Sequence, residues 1–190
     1  MNRYLLSLAL VVWCRLCYPT PAACQETEAL RVRIPTPGQL LMKQGIDTTN
    51  IEAVRSAFHT ADFPVNYHAA RFLAERNHVE EIPSIRALFF ALDKYGVPGE
   101  KYGLVGLRLL RALVQLRDPD VKSLIYQYID SIHANFRSRP AVEYSAFWGC
   151  SAVELLLDMK DYSRYRFIVD VVDEGGVAGD VAINTLQRSV

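Results

Sequence analysis

The side chains able to do chemistry are scattered along this chain and form no signature. The histidines are His59, His68, His78 and His133. Two zinc-binding histidines on one helix face need i, i+4 spacing, which no pair here has, and there is no HExxH. They read as helix-end or surface residues. Asp170, Asp173 and Glu174 form an acidic cluster that could hold a cation. It lacks the alternating oxygen ligands of a calcium loop, so a solvated loop is the plainer reading. Glu80 and Glu81 precede a helix start, where negative charge is favourable, and read as capping acids rather than an acid/base pair. No GxSxG elbow and no Lys-Ser/Thr-terminated glycine loop occurs. The sequence assigns no catalytic, cofactor-binding or metal residue and predicts a non-enzyme without a cofactor.

Two further patterns concern binding. Arg71 and Arg111 stand at matching places just before Leu73 and Leu113, and Glu154 stands there before Leu156. Hydrogen bonding between neighbouring units, which the family resemblance given below implies for repeated polar positions, is one reading, and a ligand-facing charge is the alternative. The C-terminal half is rich in aromatic residues, among them Tyr126, Tyr128, Phe147, Trp148, Tyr165 and Phe167. Exposed Tyr and Trp are enriched in binding hot spots.

These residues need elements to position them. The chain has 190 residues, 51% of them apolar, and 21 Lys+Arg against 21 Asp+Glu. That composition fits one ordinary domain and excludes a mainly disordered chain. Balanced charge without a basic run argues against a nucleic-acid partner. Met1-Asn2-Arg3 is a positive start, and Tyr4–Cys14 is an uncharged apolar run. Arg15 ends that run too early for a membrane span. Pro19-Thr20-Pro21-Ala22-Ala23-Cys24 follows. This order predicts a signal peptide over 1–24. Pro21-Ala22-Ala23-Cys24 also looks like a lipobox, with Pro21 where Leu is usual, making Cys24 the candidate lipidation site. The expected location is exported, periplasmic or envelope-associated. Residues 25–45 read as an extended linker, with a short turn near 38–44. Cys150 falls within a helical pattern and reads as a small buried apolar residue.

From residue 46 the period is helical. Ile51/Val54/Phe58, Ile82/Ile85/Phe89, Val121/Leu124/Tyr128 and Tyr165/Ile168/Val172 share i, i+3, i+7 spacing, which lines one helix face. A second apolar set (Ala70/Leu73, Leu110/Leu113, Val153/Leu156) precedes three of them, so a helix pair recurs about every 40 residues. The expected helices are 48–59, 65–76, 82–95, 101–116, 119–136, 141–158, 162–173 and 178–189. Thr49…Glu52 has capping-box spacing. Asp118-Pro119 suits an N-cap with a first-turn proline. No convincing strand is found. The predicted fold is all-α, a short α-solenoid over 46–190. Loss of one unit should unfold such a stack, because each pair covers its neighbour's apolar faces.

The runs Gly45-Ile46-Asp47, Ile51-Glu52-Ala53-Val54 and Ala61-Asp62-Phe63-Pro64-Val65-Asn66-Tyr67-His68-Ala69-Ala70-Arg71-Phe72-Leu73-Ala74-Glu75 resemble bacterial HEAT repeats. These include the HEAT-like repeats of phycobiliprotein lyases. Asn66, Gly106 and Gly149 stand where that pattern usually has Arg. Tetratricopeptide repeats are the runner-up, but their fixed period and W-x-x-L-G signature are absent. The resemblance implies a right-handed superhelix of about four helix pairs. It also implies a protein-binding surface lined by the second helices (51–58, 82–92, 121–132, 165–173). Trp148, Tyr126, Arg86 and Arg166 are the candidate partner contacts. The expected function is a non-catalytic scaffold or adaptor for an unknown protein partner. A lyase-like, ligand-handling enzyme and a structural envelope lipoprotein are the alternatives.

Overall fold

The computed structural model describes residues 35–59, 62–92, 103–138 and 143–188. The expected signal peptide, the candidate Cys24 and residues 25–34 of the expected linker lie outside them. Within them the fold is all-helical, without strands. The α-helices are α1 (Pro37–Lys43), α2 (Ile51–Phe58), α3 (Phe63–Glu75), α4 (Ile82–Ala91) and α5 (Leu104–Gln115). Four more follow: α6 (Val121–Ser138), α7 (Glu143–Asp158), α8 (Tyr165–Glu174) and α9 (Gly176–Arg188). A 3-10 turn, Val79–Glu81, leads into α4.

The turn expected near 38–44 is the full helix α1. Thr36 and Gln39 close a reciprocal capping box around Pro37, and Leu41 is fully buried. Leu41 joins the same core as the helices that follow. The α2 cap also differs from expectation. Asn50 Oδ1 accepts from the Glu52 and Ala53 N–H groups, while Thr49 Oγ1 donates to Asp47 Oδ1. Asn thus takes the capping role, which it fills as well as Ser or Thr.

Each odd-numbered helix packs on the next, α1 on α3, α3 on α5, α5 on α7 and α7 on α9. The even-numbered helices fill in beside them: α2 on α3, α4 on α5, α6 on α7 with a lesser contact to α5, and α8 on α7 and α9. One contiguous core runs from Leu41 to Ala182 and includes Ile85, Leu124 and Ile168. Fully burying one such side chain contributes roughly 1.5–3 kcal/mol. Three of the four expected i, i+3, i+7 sets face this core. The fourth is rotated: Tyr165 is 37% exposed, while Phe167 is 2% exposed. Phe167 turns inward because Gly149 on α7 leaves room for its ring.

One joint recurs four times. The N–H groups of Ile46, His78, Asp118 and Asp161 donate to the carbonyls of Leu41, Leu73, Leu113 and Leu156. The residues just before those donors have positive φ: Gly45 79°, Asn77 60°, Arg117 58° and Lys160 55°. Each also donates its own N–H into the last turn, to Met42, Ala74, Val114 and Leu157. This double closure is the Schellman motif, which satisfies carbonyls that a helix end would otherwise orphan. Asp47, Asp118 and Asp161 then each accept from the N–H two residues on, shaping the entry to the next helix.

Candidate functional site

The joints place an acid where the preceding even-numbered helix can reach it. Arg55 on α2 pairs with Glu80 and lies 3.2 Å from Glu81, and it also meets Glu52 at 2.8 Å. Arg86 on α4 grips Asp118 with two N–H groups, one of them Nε donating at 2.6 Å, and reaches Asp120 at 2.6 Å. On α6, Tyr126 donates its hydroxyl to Asp161 at 2.5 Å, with Lys122 at 3.2 Å from the same carboxylate. Arg55, Arg86 and Tyr126 thus each engage an acid at the turn that follows the next odd-numbered helix. Asp118 is 3% exposed, and Arg86 is the cationic partner that offsets the burial of its carboxylate. The Arg86 guanidinium is in turn pushed further toward the charged state, chiefly by its hydrogen bond to Asp118. Asp161 is held below the usual carboxylate range, first by the Tyr126 hydroxyl and then by Ser163.

The last even pair is joined again along its length. Arg164 donates twice to Asp130, both at 2.9 Å, and lies over the Tyr126 ring at 4.6 Å. His133 Nε2 lies 3.0 Å from Asp170, which also accepts from Arg166 Nε at 2.7 Å. Asp170 is therefore engaged from two helices, by His133 of α6 and by Arg166 of its own α8. Asp173 and Glu174 remain exposed. Among the described residues no three His, Cys, Asp or Glu side chains are grouped to hold a metal.

The candidate partner residues now have positions. Arg86, Tyr126 and Arg166 lie on even-numbered helices, and the first two are engaged by the turn acids Asp118 and Asp161. Trp148 lies on α7, half-buried, its ring edge-on to Phe147 at 4.5 Å. The structure therefore brings three of the four to one set of helices and puts Trp148 on the other. Sequence spacing does not pair the turn acids Asp118 and Asp161 with Arg86 and Tyr126, which stand 32 and 35 residues away. Only the recurrence of the acids is visible, since both stand at the same distance after Leu113 and Leu156.

The odd-numbered helices carry a different surface. Arg108 Nη1 on α5 donates to Tyr67 Oη at 3.3 Å. Arg71 on α3 lies over the Tyr67 ring at 5.5 Å. His68 is half-buried, and its Nδ1 is shielded from solvent without a hydrogen-bond partner. Burial first, and then the charges of Arg71 and Arg108, push His68 below the ordinary imidazole value. The expected equivalence of Arg71 and Arg111 holds in position, but neither forms an ion-pair ladder.

A cavity of about 320 Å³ opens between α2, α3 and α4, lined by Phe58, His59, Asn66, Ser84, Ala87, Leu88 and Ala91. Its walls are mostly apolar. Cys150 is buried in the core, and burial pushes its thiol up to about 12, so it is poorly suited to nucleophilic work. Among the described residues no helix is long and apolar enough to cross a membrane. No family model matches this chain, and neither a curated protein nor a solved structure matches it.

Proposed function

We propose that the chain is an exported HEAT-repeat α-solenoid that acts as a non-catalytic scaffold, docking a protein partner on its even-numbered helices. The observation that carries this reading is the recurrence of the joint at Leu41, Leu73, Leu113 and Leu156. The same backbone joint closes four helices, and each odd-numbered helix packs on the next, which supports a unit of two helices built repeatedly. Stacked helix pairs offer extended surfaces more readily than enclosed active sites. The open, mostly apolar cavity by Phe58 and Leu88 agrees with such a surface. Export rests on the charge, apolar run and small-residue order of residues 1–24.

A photo-reactive amino acid placed at Ala87 and Gln127, both exposed on even-numbered helices, tests the docking face in the native host. The expected result is one adduct of the same mass at both sites and none at Gln115 on α5. Equal labelling at all three sites, or none, would overturn the reading. Export is tested separately by the N-terminal residue of the protein recovered from cells. A chain that still begins at Met1 would remove the export part.

A further inference from the structure

We propose that the adjoining faces of α3 and α5 form a binding site for a phosphate monoester group, held by Arg71, Arg108 and His68 around Tyr67. This site lies on the odd-numbered helices and does not rest on the scaffold reading.

The argument starts from pairing. On the even-numbered helices and the turn into α8, Arg55, Arg86, Arg164 and Arg166 each hold a carboxylate. On the odd-numbered helices Arg71, Arg108 and Arg111 hold none among the described residues. Glu75 lies one turn beyond Arg71 on α3, and Glu154 lies on α7, where it accepts from Thr185 Oγ1 at 3.2 Å. Neither forms an ion pair with these arginines. His68 and Arg71 share one face of α3 by their i, i+3 spacing, as Arg108 and Arg111 share one face of α5. The two helices pack together. Like charges so placed repel, and folding gains nothing from gathering them.

The guanidiniums are also steadied. Tyr67 is buried, and it anchors Arg108 through its hydroxyl and Arg71 through its ring face. Arg presents a planar fork that matches phosphate and carboxylate oxygens bidentately. A phosphate monoester carries about −1.5 to −2 charges near neutral pH, which balances two guanidiniums; a carboxylate balances only one. His68 adds a group that responds to such an anion. Arg71 and Arg108 disfavour its protonation, and an anion seated between them offsets that effect.

The test is a nuclear magnetic resonance titration of the full 190-residue chain with inorganic phosphate. Sodium chloride at equal ionic strength and sodium acetate serve as comparisons. The expected result is a saturable shift of the His68 ring and of the Arg71 and Arg108 Nε–H signals. The His68 titration midpoint should rise with phosphate. Arg71→Gln and Arg108→Gln should each weaken phosphate binding by about tenfold or more. Arg71→Lys, which keeps the charge but loses the fork, should weaken it less. Arg76→Gln, whose guanidinium stacks on Phe72, should leave it unchanged. Shifts no larger than those in chloride would overturn the site. So would acetate binding as tightly as phosphate, or a folded Arg71→Gln/Arg108→Gln double variant that binds as before.

Discussion

Gly149 on α7 lies against the ring of Phe167 on α8 so closely that a Cβ built at Gly149 falls 2.4 Å from Phe167 Cζ and 2.6 Å from Cε1. Real side chains do not approach so near. Phe167 is enclosed by the core, so its ring has nowhere to go without shifting α8. Gly149→Ala should therefore cost about 2–3 kcal/mol, as overpacking of a filled site does. Thermal unfolding should report a midpoint lower by ~5–10 °C. Adding Phe167→Leu should recover part of the loss. An unchanged midpoint in the single variant would contradict the close packing.

The Arg86–Asp118 pair should matter to stability more than an exposed ion pair does. Arg86→Ala leaves the buried Asp118 carboxylate with little beyond the Asp120 N–H. Removing a charged partner from a buried group costs about 1.5–3 kcal/mol. Urea unfolding of Arg86→Ala should show that loss. Lys122→Ala, at a partly exposed pair with Asp161, should change stability by less than about 1 kcal/mol.

Acid should weaken the α6–α8 joint through Asp161. Its carboxyl is held below the ordinary 3.8, with the Tyr126 hydroxyl as the leading cause. A depressed carboxylate stabilises the fold above its unfolded value and loses that contribution as pH falls toward its folded value. The sensitive window is thus below about pH 4. Tyr126→Phe should lower stability at pH 7 and flatten the decline between about pH 4 and pH 2. Denaturant melts across that range check both effects; a variant curve parallel to the parent would count against the assignment.

Arg117 and Lys160 hold positive φ without being glycine. A left-handed L-residue costs roughly 1–2 kcal/mol, part of which a glycine avoids. Arg117→Gly and Lys160→Gly should raise stability by about 0.5–1 kcal/mol despite glycine's looser unfolded chain. Lys160→Val should lower it, since a branched side chain tolerates that conformation worst. Chemical unfolding distinguishes the three.

The helices were legible because their apolar spacing records which face is buried. The spacing puts Ile85, Leu124 and Ile168 in the core, and they lie there. Period alone could not choose between Tyr165 and Phe167, because that choice depends on Gly149 across the helix interface. The marker leucines were visible as a pattern, but their function was not. They supply backbone carbonyls to the joints, and a carbonyl has no side-chain signature. The joints also hide in sequence because Gly, Asn, Arg and Lys fill the same left-handed position. The paired acids were masked by distance, since Arg55 and Glu80 or Arg86 and Asp118 meet only after stacking. The Arg71–Arg111 equivalence was readable. That Arg108 and His68 join Arg71 around Tyr67 required knowing that α3 lies beside α5.

Leu41, Leu73, Leu113 and Leu156 are unevenly spaced, yet the bend after each closes through the same pair of main-chain bonds. The corner is therefore indifferent to how long its arms are. A residue gained or lost in mid-helix would leave both of those main-chain bonds intact.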